Sequence, residues 1–236
     1  MIQPKPSDTR GYADHGWLRA KHSFSFADYY DPAEMGWGVL RVINEDRVAP
    51  GTGFGRHGHR DMEIVTYILS GALEHQDSLG NGGIIRRGEV QRMTAGKGIL
   101  HSEFNPSANE EVHLLQIWIE PAVLGSAASY EQQLLSVDSM RGNWRLVASP
   151  DGADGSATIG QDARLLATLL PSGEKLAYTL AAGRLAYVHV VHGSLALNGV
   201  ALAGGDGAKI ANESELCFSA NDEAEILLFD LPPSRQ

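Results

Sequence analysis

The sequence carries a single cysteine, Cys217, among 236 residues. No disulfide can close within the chain, and a metal site built from several thiolates is excluded. Long apolar runs are also missing, since no stretch approaches the roughly 18 residues that cross a bilayer as a helix. The segment from Met1 to Ala20 is polar and interrupted by Pro4, Pro6, Gly11 and Gly16, without the apolar centre of a secretory leader. Basic residues are in deficit, 19 Lys and Arg against 29 Asp and Glu, and a formal charge of -10 repels a phosphate backbone. These absences lead to the expectation of a cytoplasmic protein with neither a membrane nor nucleic acid as a direct partner.

What is present suits an ordinary globular chain, with 43% hydrophobic and 20% charged residues and enough length for one large or two small domains. From about Gly38 onward, short β-branched and aliphatic runs alternate with clusters of Gly, Pro, Asn and Asp, the spacing of many short strands. Val39 to Ile43, Glu63 to Leu69, Val112 to Ile119, Tyr187 to Val191 and Glu225 to Leu231 are such runs. A short helix is expected within Tyr130 to Leu135, inside a stretch from Ala122 to Arg141 that reads as a connection between domains.

A weak internal repeat underlies this pattern. Gly51 and Gly173 lie 122 residues apart, as do Gly71 and Gly193, which sets Tyr67 to Gly71 against His189 to Gly193. Further on, Gly88-Glu89 matches Gly205-Asp206, and Trp118-Ile119-Glu120-Pro121 matches Phe229-Asp230-Leu231-Pro232. The expected organisation is therefore two similar β units: residues 1–121, a connection at 122–141, and residues 142–236.

The densest set of metal-binding residue types is Gly51-x5-His57-x-His59-x3-Glu63-x7-Gly71. On a strand, residues two apart share a face with Cα atoms roughly 6.5 to 7 Å apart, so His57 and His59 can address one point. A second pair, His101 and Glu103, follows Gly96 and Gly98 with the same spacing. If the two strands are neighbours in an antiparallel barrel, three imidazoles and a carboxylate meet in one volume. Such a sphere without thiolate suits iron, nickel, copper, manganese or cobalt and leaves coordination positions open for a substrate.

The two segments resemble the paired motifs of the cupins, and their details resemble the pirin family. The Ala-Gly-x-Gly-Ile-x-His-Ser-Glu form at 95–103 replaces the more usual Pro-x-Gly-x2-His, and one extra residue precedes Gly71. The likeness continues through His15-Gly-Trp-Leu, the segment from His22 to Pro32, Leu40 to Asn44, His75 to Ser78, and Leu115 to Ile119. It is strongest to the bacterial branch to which quercetin 2,3-dioxygenase activity is attributed. The resemblance implies an all-β fold of two tandem antiparallel barrels of the jelly-roll type. It also implies one divalent ion, with iron favoured and zinc a further alternative, held by His57, His59, His101 and Glu103. Glu63 stands where many other cupins place a ligand, and is expected behind the ligands, orienting an imidazole. Glu103 and Glu63 are the candidate catalytic bases.

Carried through the repeat, the ligand positions become Thr179, Ala181, Leu185, Phe218 and Ala220, so the second barrel is expected to hold no metal. His15, His22, His75, His113, His189 and His192 are expected to be structural, and Trp118 to serve core packing rather than substrate stacking. The function implied is a monomeric dioxygenase that opens the central ring of a flavonol with O2 and releases carbon monoxide. The alternative is a metal-containing regulatory protein whose oxidation state biases contact with a protein partner.

Overall fold

The computed structural model describes residues 1–233 and is built almost wholly of β-strands. The chain opens with β1 (Ile2–Lys5), β2 (Gly11–Asp14), β3 (Leu18–His22), β4 (Leu40–Val48), β5 (Gly53–His59) and β6 (Glu63–Ser70). It continues through β7 (Ala72–Asp77), β8 (Gly82–Arg86), β9 (Glu89–Thr94), β10 (Ile99–Phe104), β11 (Val112–Ile119) and β12 (Ser129–Leu134). After a short helix, α1 (Val137–Met140), come β13 (Arg145–Ser149), β14 (Ala157–Thr158), β15 (Arg164–Leu170), β16 (Lys175–Thr179) and β17 (Leu185–His192). The last strands are β18 (Ser194–Leu197), β19 (Val200–Ala203), β20 (Gly207–Ile210), β21 (Glu215–Ala220) and β22 (Ala224–Leu231).

These strands form two barrels, each a seven-stranded sheet facing a four-stranded one. In the first barrel the orders are β12-β9-β6-β11-β4-β3-β2 and β5-β10-β7-β8; in the second they are β1-β20-β17-β22-β15-β13-β14 and β16-β21-β18-β19. The expected pair of jelly-roll barrels is the observed fold, and the two orders correspond strand for strand across the central positions. The glycines matched by the repeat have a common cause. Gly51 and Gly173, Gly71 and Gly193, and Gly88 and Gly205 all have φ between 65° and 86°, a left-handed backbone that side chains disfavour.

Burial explains the two kinds of strand sequence. The large sheets are covered on both faces, one by their own barrel and one by the sister sheet, so β6 and β22 read as nearly continuous apolar runs. The small sheets have one face in water, and β10 alternates strictly between buried and more exposed positions. The seam between the large sheets holds Ile43, Val65, Tyr67 and Leu115 from one side against Leu165, Leu169, Leu227 and Phe229 from the other. Polar groups cross it too: the Tyr67 hydroxyl donates to Glu225 at 2.5 Å, and Arg87 pairs with the same carboxylate.

Three expectations need correction. The segment expected as a helix at Tyr130 to Leu135 is strand β12, because pairing with the open edge of β9 overrides the helix propensity of its Glu and Gln residues. The stretch at 122–141 is thus not a mere connection, since β12 completes the first barrel's large sheet. The exit match slips by one residue: Ile119 and Leu231 both face the first residue of the equivalent strand, Glu63 and Leu185, so Trp118 corresponds to Asp230. One strand is exchanged between the barrels. β1 leaves the first barrel and pairs antiparallel with β20 of the second, Ile2 opposite Ile210 and Lys5 opposite Gly207.

Candidate metal centre

Strand β5 lies at the edge of its sheet and pairs only with β10, placing His57 opposite His101. Two residues further along β10, Glu103 stands opposite Phe54, so β5 spends three residues where β10 spends two. That extra residue, at Gly55 and Arg56, is a β-bulge, a device that re-aims side chains. It lets Phe54 and His57, three apart in sequence, both face the barrel interior. Close contact of the two strands also requires glycine at 53, where a Cβ would sit 2.2 Å from the Glu103 carbonyl oxygen.

The three imidazoles converge. His101 Nε2 lies 2.9 Å from His57 Nε2 and 2.9 Å from His59 Nε2. His57 Nδ1 is 2.8 Å from the Gly55 carbonyl oxygen, so it carries the proton and leaves the Nε2 lone pair pointing inward. Burial pulls His59 down to about 4, and burial together with the neighbouring histidines pulls His101 down to about 3, so both rings are neutral at pH 7. Neutral nitrogens aimed at one another repel unless a cation lies between them. A separation of 2.9 Å is what two nitrogens adopt at right angles around an ion roughly 2.1 Å from each. The donor set fits one divalent metal ion.

Glu103 is buried in the same cavity but stands outside that close histidine group, its Oε1 accepting a 2.6 Å bond from Gln116 Nε2. Burial lifts its carboxyl to about 7, against the opposing effect of that bond. The cavity measures about 260 Å³. Phe26, Phe54, Ile64 and Trp118 give it apolar walls, with the His59 ring 4.8 Å from Trp118 and nearly perpendicular to it.

Glu63 is a correction. Ile64 lines the cavity, so the period of two turns Glu63 to the opposite face of β6, toward the seam. There it is fully buried, accepts a 2.7 Å bond from Thr94 and lies beside Gly160. It can neither orient an imidazole of the triad nor serve as a base in this cavity. Trp118 is corrected in the other sense, since it forms a cavity wall rather than simple core packing. His22, expected to be structural, also lines the cavity, its Nδ1 2.8 Å from Asn44 Oδ1. His75 is wholly buried behind His101, stacked on Tyr130 with ring centroids 4.9 Å apart. His113 bonds Glu45, His192 pairs with Glu225, and His189 is buried.

Asn44 and Asp46 were not anticipated. They share the inner face of β4, and the strand register sets His22, Asn44, Gln116, Thr66 and Gln91 directly opposite one another across β3, β4, β11, β6 and β9. A polar row thus crosses the inner face of the large sheet. Repeat alignment carried a signal for it: in the 122-residue frame Asn44 falls on Leu166 and Thr66 on Val188, polar against apolar.

The second barrel has lost this chemistry. Phe218 faces Leu197 as Glu103 faces His75, so Leu216 and Phe218 stand for His101 and Glu103, two residues earlier than Phe218 and Ala220. The slip keeps the face and the conclusion, since all three are buried and apolar.

The family profile described as Pirin matches residues 5–119, and one described as Quercetinase C-terminal cupin domain matches residues 146–231. The chain is 47% identical over 233 residues to the quercetin 2,3-dioxygenase of Escherichia coli strain K12, covering 99% of this chain and 100% of that one. It is 46% identical over 231 residues to a pirin-like protein of Caulobacter vibrioides, covering 98% and 99%. A crystal structure of the bacterial pirin YhhW from Escherichia coli in complex with nickel(II) superposes with a TM-score of 0.95 at 46% identity, over 99% of this chain and 100% of that one.

Proposed function

The chain belongs to the pirin family, and from that premise we propose that it is a metal-dependent dioxygenase cleaving the central ring of a flavonol such as quercetin. The observation that carries this reading is the convergence of three imidazoles on one wall of an aromatic-lined cavity that also holds a buried carboxyl. His57, His59 and His101 would hold the ion, with Glu103 as its fourth ligand. An ion so held supplies Lewis acidity and a binding position for the adjacent hydroxyl and carbonyl oxygens of the substrate.

The protein's own groups supply the rest. Trp118, Phe26 and Phe54 enclose a flat aromatic molecule and exclude water from it. Glu103 is the buried carboxylate placed to take the 3-hydroxyl proton, and Gln116 steadies it by donating to Oε1. In the overall change, the ring carbons on either side of C3 each gain one oxygen atom from O2, and C3 departs with its own oxygen as carbon monoxide. Residues 1–121 carry this chemistry in our reading, and residues 142–236 form a metal-free support. Nickel is the ion in the related crystal structure, while iron was the ion favoured from resemblance, so the native metal is part of the test.

The test is protein loaded in turn with iron, nickel, copper, manganese or cobalt and mixed with quercetin in air while its visible absorbance is followed. Saturable loss of the flavonol with stoichiometric carbon monoxide, abolished by His57→Ala, is the expected result. Inactivity with every metal would turn the reading toward a regulatory protein.

A further inference from the structure

Among the described residues lining the cavity, two keep a buried atom without a partner, His101 Nδ1 and Asp46 Oδ1, and His101 already belongs to the histidine triad, which leaves Asp46. His22 and Asn44 bond each other at 2.8 Å, Thr66 donates to Gln116 at 3.3 Å, and Gln116 donates to Glu103 at 2.6 Å. Asp46 is 4% exposed, and its Oδ1 has no hydrogen-bond partner among the described residues. Its cross-strand neighbours, Ala20 and Leu114, have no side-chain donor to offer. Burying an unpartnered carboxyl oxygen is unfavourable, and such groups persist where a ligand completes them.

The chemistry of that ligand follows from its surroundings. A second carboxylate or a phosphate would meet both Asp46 and Glu103 in one small cavity. A neutral donor would instead bond the Asp46 carboxyl where it lines the cavity, without adding charge. With aromatic walls from Phe26, Phe54 and Trp118, the fitting donor is a hydroxyl on a planar aromatic ring.

Resting on the dioxygenase reading above, we propose that Asp46 determines specificity by accepting a hydrogen bond from a phenolic hydroxyl remote from the oxygens that meet the metal. The site thereby prefers polyhydroxylated flavonols to those carrying only the chelating pair. Asp46 is a binding residue in this account, and the proton of the reacting hydroxyl goes to Glu103.

The test is anaerobic binding, followed by quenching of tryptophan fluorescence, of quercetin and of 3-hydroxyflavone to nickel-loaded protein. The two ligands share the chelating oxygens, and only quercetin has remote hydroxyls. The wild type is expected to bind quercetin about tenfold more tightly or better, the size of one hydrogen bond to a charged group. Asp46→Leu should bring the ratio close to one, and Asp46→Asn, which keeps the shape but loses the charge, should fall between. An unchanged ratio in Asp46→Leu with full metal content would overturn the proposal, as would equal binding of both ligands by the wild type. Both variants should melt no lower than the wild type; if both are destabilised, Asp46 is structural and the proposal fails. A wild type that binds quercetin preferentially yet never consumes it in air would remove the dioxygenase reading and leave Asp46's role standing. Binding of neither flavonol would remove both.

Discussion

Two barrels with one strand order differ in what they keep inside. In the first, the row His22, Asn44, Gln116, Thr66, Gln91 crosses the large sheet; in the second, the registers put Leu146, Leu166, Leu228, Val188 and Ala208 in the same places. Every polar member has an apolar counterpart. The facing sheets differ as well. β5 carries a bulge against β10, whereas β16 pairs with β21 in unbroken register from Lys175 opposite Ser219 to Thr179 opposite Glu215. The scaffold tolerates either filling, because interior positions need only be packed and satisfied. Site chemistry in this molecule therefore lies in side chains and one extra residue.

The most drastic way to make the first barrel resemble the second is to remove a ligand. His101→Ala should lower metal affinity by at least about a hundredfold, beyond what loss of a residue supporting a ligand does, and end flavonol consumption. Elemental analysis beside far-UV dichroism checks this, and full metal content in the variant would contradict the ligand assignment.

Deleting Arg56 would give β5 the regular register of β16. The expected outcome is a folded protein in which His57 and Phe54, now two apart, keep the cavity face but His57 loses the Gly55 carbonyl contact that orients its ring, with metal affinity down by roughly tenfold to a hundredfold. Retention of tight binding would show that the bulge does not aim the histidine.

The seam offers a smaller effect. Glu225 is buried beneath Arg87, Tyr67 and His192; burial alone would raise its carboxyl, but these partners hold it down to about 2. Glu225→Ala would leave Arg87 without its counter-charge and should lower unfolding free energy by about 3 kcal/mol. Because the folded-state value is depressed, the stabilisation is present above the ordinary carboxyl range and fades as pH falls toward 2. Denaturant melts at pH 7 and pH 3 should show a smaller gap between wild type and variant at the lower pH.

The gentlest comparison concerns Asp46, whose counterpart is Thr168. Burial, and then Glu103, push the Asp46 carboxyl up to about 7. A raised acid favours folding fully below its unfolded value and loses that contribution as pH rises through 7. Metal-depleted Asp46→Thr should therefore gain on the wild type between pH 5 and pH 8, by a few degrees in Tm. A gain that is flat with pH would mean that Asp46 is already ionised at pH 5.

Much of this was legible beforehand. Paired glycines marked the repeat because a left-handed turn leaves few alternatives to glycine, and His-x-His with His-x-Glu pointed to the converging histidines and the buried Glu103 because period two favours a shared face. What failed depended on partners distant in sequence. Glu63 has ligand spacing, yet which way it points is set by the register of β6 with β11 and β9, and that register sends it to the seam. Tyr130 to Leu135 has helix-forming residues, and only the open edge of β9 makes it a strand. Asp46 went unnoticed because a lone acid on an apolar strand acquires meaning only when its neighbours prove to have nothing to give it.

The exchange of β1 into the second barrel bears on the order in which a newly made chain can settle. Residues 2–5 leave the ribosome long before their hydrogen-bonding partners at 207–210, which emerge some two hundred residues later. During synthesis this segment must wait while the first barrel condenses behind it, and it docks as a late clasp that ties residues 2–5 to residues 207–210.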